Sequence, residues 1–192
     1  MKLLIICLLV SVQSFAQSYI QKKDGTKIPV VEGSVKVQPI NNRLVYSFGG
    51  RDFKIKYKDL DNAVFSGFLF RSFTVKNKAR GYFVLAESTT KTLAAVGVPR
   101  TRQAGGFEIN FVRYEINVFN TDGTLAESMT FTNEKNDKNM LLRADAAALI
   151  KSHFSACENL IQRLEAFEIT NTEQQNDGVA KFVDSKVYTS CK

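Results

Sequence analysis

The stretch Phe53-Lys54-Ile55-Lys56-Tyr57-Lys58 alternates apolar and basic residues without a break. A strand turns successive side chains to opposite faces, so this pattern predicts one face in a core and one in water. Gly49-Gly50 separates it from a second strand pattern, Leu44-Val45-Tyr46-Ser47-Phe48. Upstream, Val35 to Gln38 and Arg43 to Phe48 flank the turn cluster Pro39 to Asn42. Earlier still, Tyr19 to Lys23 and Lys27 to Val31 flank Asp24-Gly25, which supplies the positive φ angles of a tight two-residue turn.

Downstream, Ala63 to Val75 carries apolar residues on both faces: Val64, Phe65, Phe68, Leu69, Phe70, Phe73 and Val75. This predicts a strand buried on both sides, or one that bends at Gly67. Gly81 to Ala86 pairs with it through an Asn77-Lys78 turn. Gly97 to Gly106 (GVPRTRQAGG) reads as a long polar loop. In Phe107 to Phe119 the apolar phase changes at Phe111-Val112, as a bulge would cause. Asp122-Gly123 then turns into Leu125 to Phe131.

From Asp137 the period becomes helical, with Leu142, Ala146, Leu149, Ile150 and Phe154 on one face. Ser155-Ala156-Cys157-Glu158 reads as a capping box opening a helix at Ala156, with Leu160, Ile161, Leu164 and Phe167 inward. Thr170 to Glu173 offers a second capping signal, and Val179, Phe182, Val183 and Val187 line a last helix. Strands followed by helices predict an α+β fold. Its antiparallel, strand-rich part spans 17–135 and is a curved sheet, a sandwich or a partly open barrel. Its helical part, 136–192, packs on the sheet within a single globular unit.

The first residues carry an address. Met1-Lys2 is a positive start, Leu3 to Val12 an apolar run, and Ser14-Phe15-Ala16 a small-residue cleavage site before Gln17. This is the layout of a signal peptide spanning 1–16. A membrane anchor needs about 20 apolar residues, roughly twice this run. A lipoprotein signal at Cys7 is disfavoured by the preceding Ile6. The expectation is an exported protein, periplasmic or extracellular, peripheral to the outer membrane at most, with no transmembrane span after cleavage.

Removing that segment leaves Cys157 and Cys191. An oxidising compartment favours a disulfide between them. Two unpaired thiols, or a reactive Cys157 at a helix N-terminus, are the alternatives. His153 lies four residues before Cys157, but a cap at Ser155 separates them, so a surface histidine at a helix end is expected instead of a Cys–His pair. The chain's single histidine excludes a multi-histidine metal centre. Asp59 and Asp61 flank Leu60 in a turn, where carboxylates usually meet solvent or backbone and do not form an acid–base pair. No nucleophile elbow, metalloprotease, P-loop or EF-hand pattern occurs, and no cofactor is indicated. A catalytic function has no visible machinery.

Charge is distributed unevenly. Residues 17–102 carry 16 basic and 6 acidic residues, and residues 103–192 carry 9 and 13. Arg51, Lys54, Lys56, Lys58, Arg71, Lys76, Lys78, Arg80, Arg100 and Arg102 are the candidate residues for an anionic partner. Fifteen phenylalanines without a tryptophan fill a core, or line a ligand space at Phe68, Phe70 and Phe83.

Asp24-Gly25-Thr26-Lys27-Ile28, Tyr57-Lys58-Asp59-Leu60-Asp61 and His153-Phe154-Ser155-Ala156-Cys157-Glu158-Asn159-Leu160, with the Ser14-Phe15-Ala16 ending, resemble segments of small uncharacterised exported proteins of Bacteroidota. The resemblance implies export and no activity. The resulting expectation is a non-catalytic envelope protein that binds a protein, an acidic glycan or a lipid surface through a basic sheet face. The alternative is a carrier of an apolar ligand. An uncharacterised enzyme comes third. Nucleic acid is not expected, for want of a binding motif.

Overall fold

The computed structural model describes residues 18–169 and 177–191. The predicted leader, the Thr170–Glu173 capping signal and Lys192 lie outside them. The strand-to-helix order holds, and the fold is α+β. One antiparallel meander contains β1 (Tyr19–Lys22), β2 (Lys27–Pro29), β6 (Leu60–Phe65), β7 (Phe68–Val75), β8 (Lys78–Glu87), β9 (Lys91–Ala104), β10 (Phe107–Asn120) and β11 (Leu125–Thr132). Their order across the sheet is β11-β10-β9-β8-β7-β6-β1-β2. It is an open sheet that does not close into a barrel. A separate sheet is built from β3 (Val35–Gln38), β4 (Arg43–Phe48) and β5 (Arg51–Lys56). Three helices follow: α1 (Asp137–His153), α2 (Glu158–Ile169) and α3 (Gly178–Ser185).

The registers sort the two faces of the large sheet. One carries Phe70, Phe83, Ala95, Tyr114, Ile116 and Val118, which form the main core with Ile150, Leu160, Leu164, Val179 and Phe182 of the helices. The other face has a small core of its own, without helices: Phe73, Tyr82, Val84, Ala94, Val96, Val98 and Phe119. The Phe73 and Phe119 rings stack at 3.9 Å although two strands lie between β7 and β10. Flat strands about 4.8 Å apart would hold them much farther apart, so the sheet curls strongly toward this face.

The sheet also forks. β8 and β9 pair only as far as Phe83↔Ala95, while β8 runs on with β7 to Lys78 and β9 runs on with β10 to Ala104. Two short 3₁₀ turns, Pro39–Asn41 and Tyr57–Asp59, pack against β9 and β8 at this opening. Tyr57 is 1% exposed there, and its carbonyl accepts from Ser72 Oγ at 2.6 Å. Gly81 makes room for it, because a Cβ at that position would lie 2.8 Å from the Tyr57 ring and 2.4 Å from that of Phe70.

Several expectations are corrected. Residues 63–75 are two strands, joined by Ser66-Gly67 with φ of 51° and 74°, the double positive φ that a two-residue hairpin requires. The β7–β8 turn is Lys76-Asn77, one residue earlier than expected. Residues 97–104 are strand, not loop, and only Gly105-Gly106 turns. No bulge occurs at Phe111-Val112, because β10 keeps one register with β9 from Phe107 to Asn120. The phase changes because the strand passes from a projecting segment into the core. The Asp24-Gly25 hairpin has a longer loop than two residues, closed by Gly25 N–H to Lys22 O and Lys22 N–H to Thr26 O. Phe53 is 42% exposed and stacks on Tyr46, so the alternating stretch buries only Ile55 within β5. α2 opens at Glu158, two residues later than expected, with the Cys157 carbonyl accepting from Leu160 and Ile161. Val187 lies beyond α3 and is 46% exposed.

The Cys157–Cys191 disulfide is present, with Cα atoms 5.1 Å apart. A short strand, β12 (Thr189–Ser190), brings Cys191 there by pairing parallel with Ala86 and Glu87 of β8. Pairing of β7 with β8 begins at Phe70↔Phe83, which leaves that side of Ala86 and Glu87 free for it. Arg143 of α1 is fully buried. Its guanidinium donates to the carbonyls of Thr132 (3.1 Å) and Glu134 (2.6 Å) and pairs with Asp177, the residue preceding α3. One side chain thus joins α1, the end of β11 and the start of α3.

Candidate functional site

The alternation of Phe53 to Lys58 builds the site. Ile55 and Tyr57 turn inward, 7% and 1% exposed, and Lys54, Lys56 and Lys58 are left outward and exposed. The β1–β2 loop sits beside them, tied by Lys23 N–H donating to Asp59 O at 3.0 Å. The β1–β6 pairing slips between Gln21 and Lys22, and such a bulge re-aims the side chain that follows. The result is a cleft of about 520 Å³ lined by Lys22, Lys23, Lys54, Lys56 and Lys58, with Asp24, Ile55 and Asp59.

Five ammonium groups face two carboxylates. Asp24 is committed: it accepts from Lys22 Nζ at 2.8 Å and from Thr26 N–H at 2.9 Å. Those bonds, the lysine's first, hold its carboxyl well below the usual carboxylate range, and Lys22 is raised in turn. Asp59 has no ion pair among the described residues. The cleft therefore keeps a positive field that an anion can neutralise. Register extends that field over the outer face of the small sheet, where Lys36 and Lys54 flank Val45 and Arg43 lies opposite Lys56.

The other basic candidates lie elsewhere. Arg71, Lys78, Arg80, Arg100 and Arg102 share the helix-free face of the large sheet by register. Arg71 is paired with Glu87 at 2.7 Å and Arg102 with Glu134 at 2.6 Å, and Arg80 donates to Asn42 at 3.2 Å. Lys76 is in the β7–β8 turn and Arg51 at the Gly49-Gly50 end of β5. Sequence reading missed Lys22 and Lys23, because their stretch announces only a turn. Their place beside β5 follows from the β1–β6 pairing, which no local pattern specifies.

A second concavity, about 590 Å³, opens where the helix layer ends against the small sheet. Val35, Val37, Phe65, Phe68, Phe83, Val96 and Val112 supply its apolar surface. Phe70, the third aromatic candidate, is fully buried in the core and takes no part. Lys186 Nζ hangs over the rings of Phe83 and Phe68, 4.9 and 5.6 Å from their centres. Asp184 on the same wall accepts from the Tyr114 hydroxyl at 2.7 Å. Burial first, and that bond second, push Tyr114 far above the usual phenol range.

The nucleophile and histidine candidates lie outside both concavities. Cys157 is in the disulfide, and His153 meets Glu127 at 2.7 Å at the end of α1. Asp61 accepts from its neighbour Asn62. No group of three or more metal-ligating side chains occurs among the described residues. Nor is any described helix long and apolar enough to cross a membrane. The arrangement defines a class only at the level of architecture: an α+β domain with a forked antiparallel sheet and a lysine-lined cleft. Compared with known proteins, the chain matches no family model, no curated protein and no solved structure.

Proposed function

We propose that this is an exported, non-catalytic envelope protein that binds a carboxylate- or phosphate-bearing component of the cell surface in the lysine cleft. The observation that carries the reading is the charge of that cleft, five lysines against two carboxylates, one already paired. The N-terminal leader pattern supports export, and so does the disulfide, since such bonds persist in oxidising compartments. Polygalacturonate serves as a probe. Its binding should weaken as salt rises from about 50 to about 300 mM, because exposed charges are screened over that range. Lys54→Glu/Lys56→Glu should reduce affinity about tenfold or more at low salt without altering stability, since both side chains are exposed. Equal binding by the variant would remove the cleft from the account.

The Phe68–Phe83 concavity favours a second reading, a carrier of an amphiphile whose anionic head meets Lys186. Hexadecanoate should then bind, and Lys186→Gln should weaken it several-fold while leaving hexadecanol unaffected. Identical affinities of both lipids for both proteins would sink this reading.

A further inference from the structure

The far end of the β9–β10 hairpin stands alone. β10 gains β11 only from Arg113↔Thr132 inward, and β9 loses β8 beyond Ala95. From Arg100↔Phe111 to Ala104↔Phe107 the pair therefore has no third strand on either side among the described residues. At 3.4 Å per residue this arm projects about 15 Å. Isolated two-stranded ribbons are marginal in water unless a face is covered.

The arm's two faces differ. Register places Arg100, Arg102, Phe107, Ile109 and Phe111 on one side. The other side holds Thr101, Gln103, Glu108 and Asn110, with Thr101 and Asn110 hydrogen-bonded across the strands at 2.8 Å. Phe107, next to the Gly105-Gly106 tip, is 76% exposed. Arg102 is held by Glu134, and Arg100 has no ion pair among the described residues.

We propose that this arm is a membrane-docking element: Phe107 enters the interface of an anionic bilayer while Arg100, with Arg102 beside it, meets the lipid phosphates. A second copy of the chain fits this face poorly. This face carries no carboxylate, so two such faces laid together leave both Arg100 side chains without a counter-charge. A neutral apolar partner accepts the phenylalanine but leaves Arg100 without a counter-charge. Anionic headgroups over acyl chains satisfy both, as in other interfacial elements that combine buried apolar area with basic residues. This inference does not depend on the lysine cleft.

The chain has no tryptophan, so Phe107→Trp gives a single reporter in the otherwise unchanged protein. With vesicles of phosphatidylethanolamine and phosphatidylglycerol, its emission should shift to the blue and be quenched by brominated acyl chains. Arg100→Glu in the same background should lower vesicle affinity about fivefold or more. Emission unaltered by vesicles would overturn the proposal. A blue shift that follows protein concentration without lipid would do the same, and would assign the arm to self-association.

Discussion

Arg143→Met should cost about 3–5 kcal/mol of folding stability, among the largest losses available to a single substitution in this chain. The guanidinium is fully buried, and its partners include the carbonyls of Thr132 and Glu134 and the carboxylate of Asp177. Methionine fills the volume but donates nothing, so two carbonyls and a carboxylate lose a donor at once. Arg143→Lys should recover only part of the loss, because an ammonium lacks the planar fork that reaches acceptors on separate segments. Urea midpoints of the three proteins check this. A midpoint for Arg143→Met within experimental scatter of the wild type would mean that the junction of α1, β11 and α3 rests on packing alone.

Removing the disulfide, by Cys157→Ala/Cys191→Ala, should cost about 4 kcal/mol. The bond links residues 34 apart in sequence, and the chain-entropy model gives about that value for a loop of this length. The folded state should lose local order as well. β12 is only two residues long and is held to β8 by Thr189↔Ala86, Ser190↔Glu87 and the Cys191 N–H bond to Glu87 O at 2.8 Å. Amide exchange in the variant should therefore rise first at position 191, whose N–H is bonded to Glu87 O. Exchange there unchanged from wild type would show that the strand pairing holds without the bond.

The sequence disclosed the architecture where polarity and backbone agree. β4 and β5, the turn between them and the inward face of α1 follow from local pattern, and the cysteine pair from the compartment that the leader pattern leads one to expect. Reading failed where those signals part. Ser66-Gly67 hides within an apolar run because Phe65 and Phe68 on either side are both drawn toward the main core. Residues 100–104 look like a loop because they are polar, and they are polar because the hairpin continues past the core. Phe111 and Val112 look like a bulge because the odd-numbered face is apolar from Phe107 to Phe111 and polar from Arg113 to Asn117, where the even-numbered face turns apolar and enters the main core. The lysine cleft was half legible: alternation exposes Lys54, Lys56 and Lys58, but Lys22 and Lys23 join them through a bulged pairing with β6. Arg143 left no signal, since its partners include two backbone carbonyls and a residue more than thirty positions away.

Backbone amide chemical shifts, followed while polygalacturonate is titrated into the isotope-labelled protein, test the proposed function most directly. Changes confined to Lys22–Asp24 and Lys54–Asp59, and abolished by raised salt, are the predicted result. Shifts centred on Lys76, Lys78 and Arg100, with the residues of the cleft silent, would contradict it.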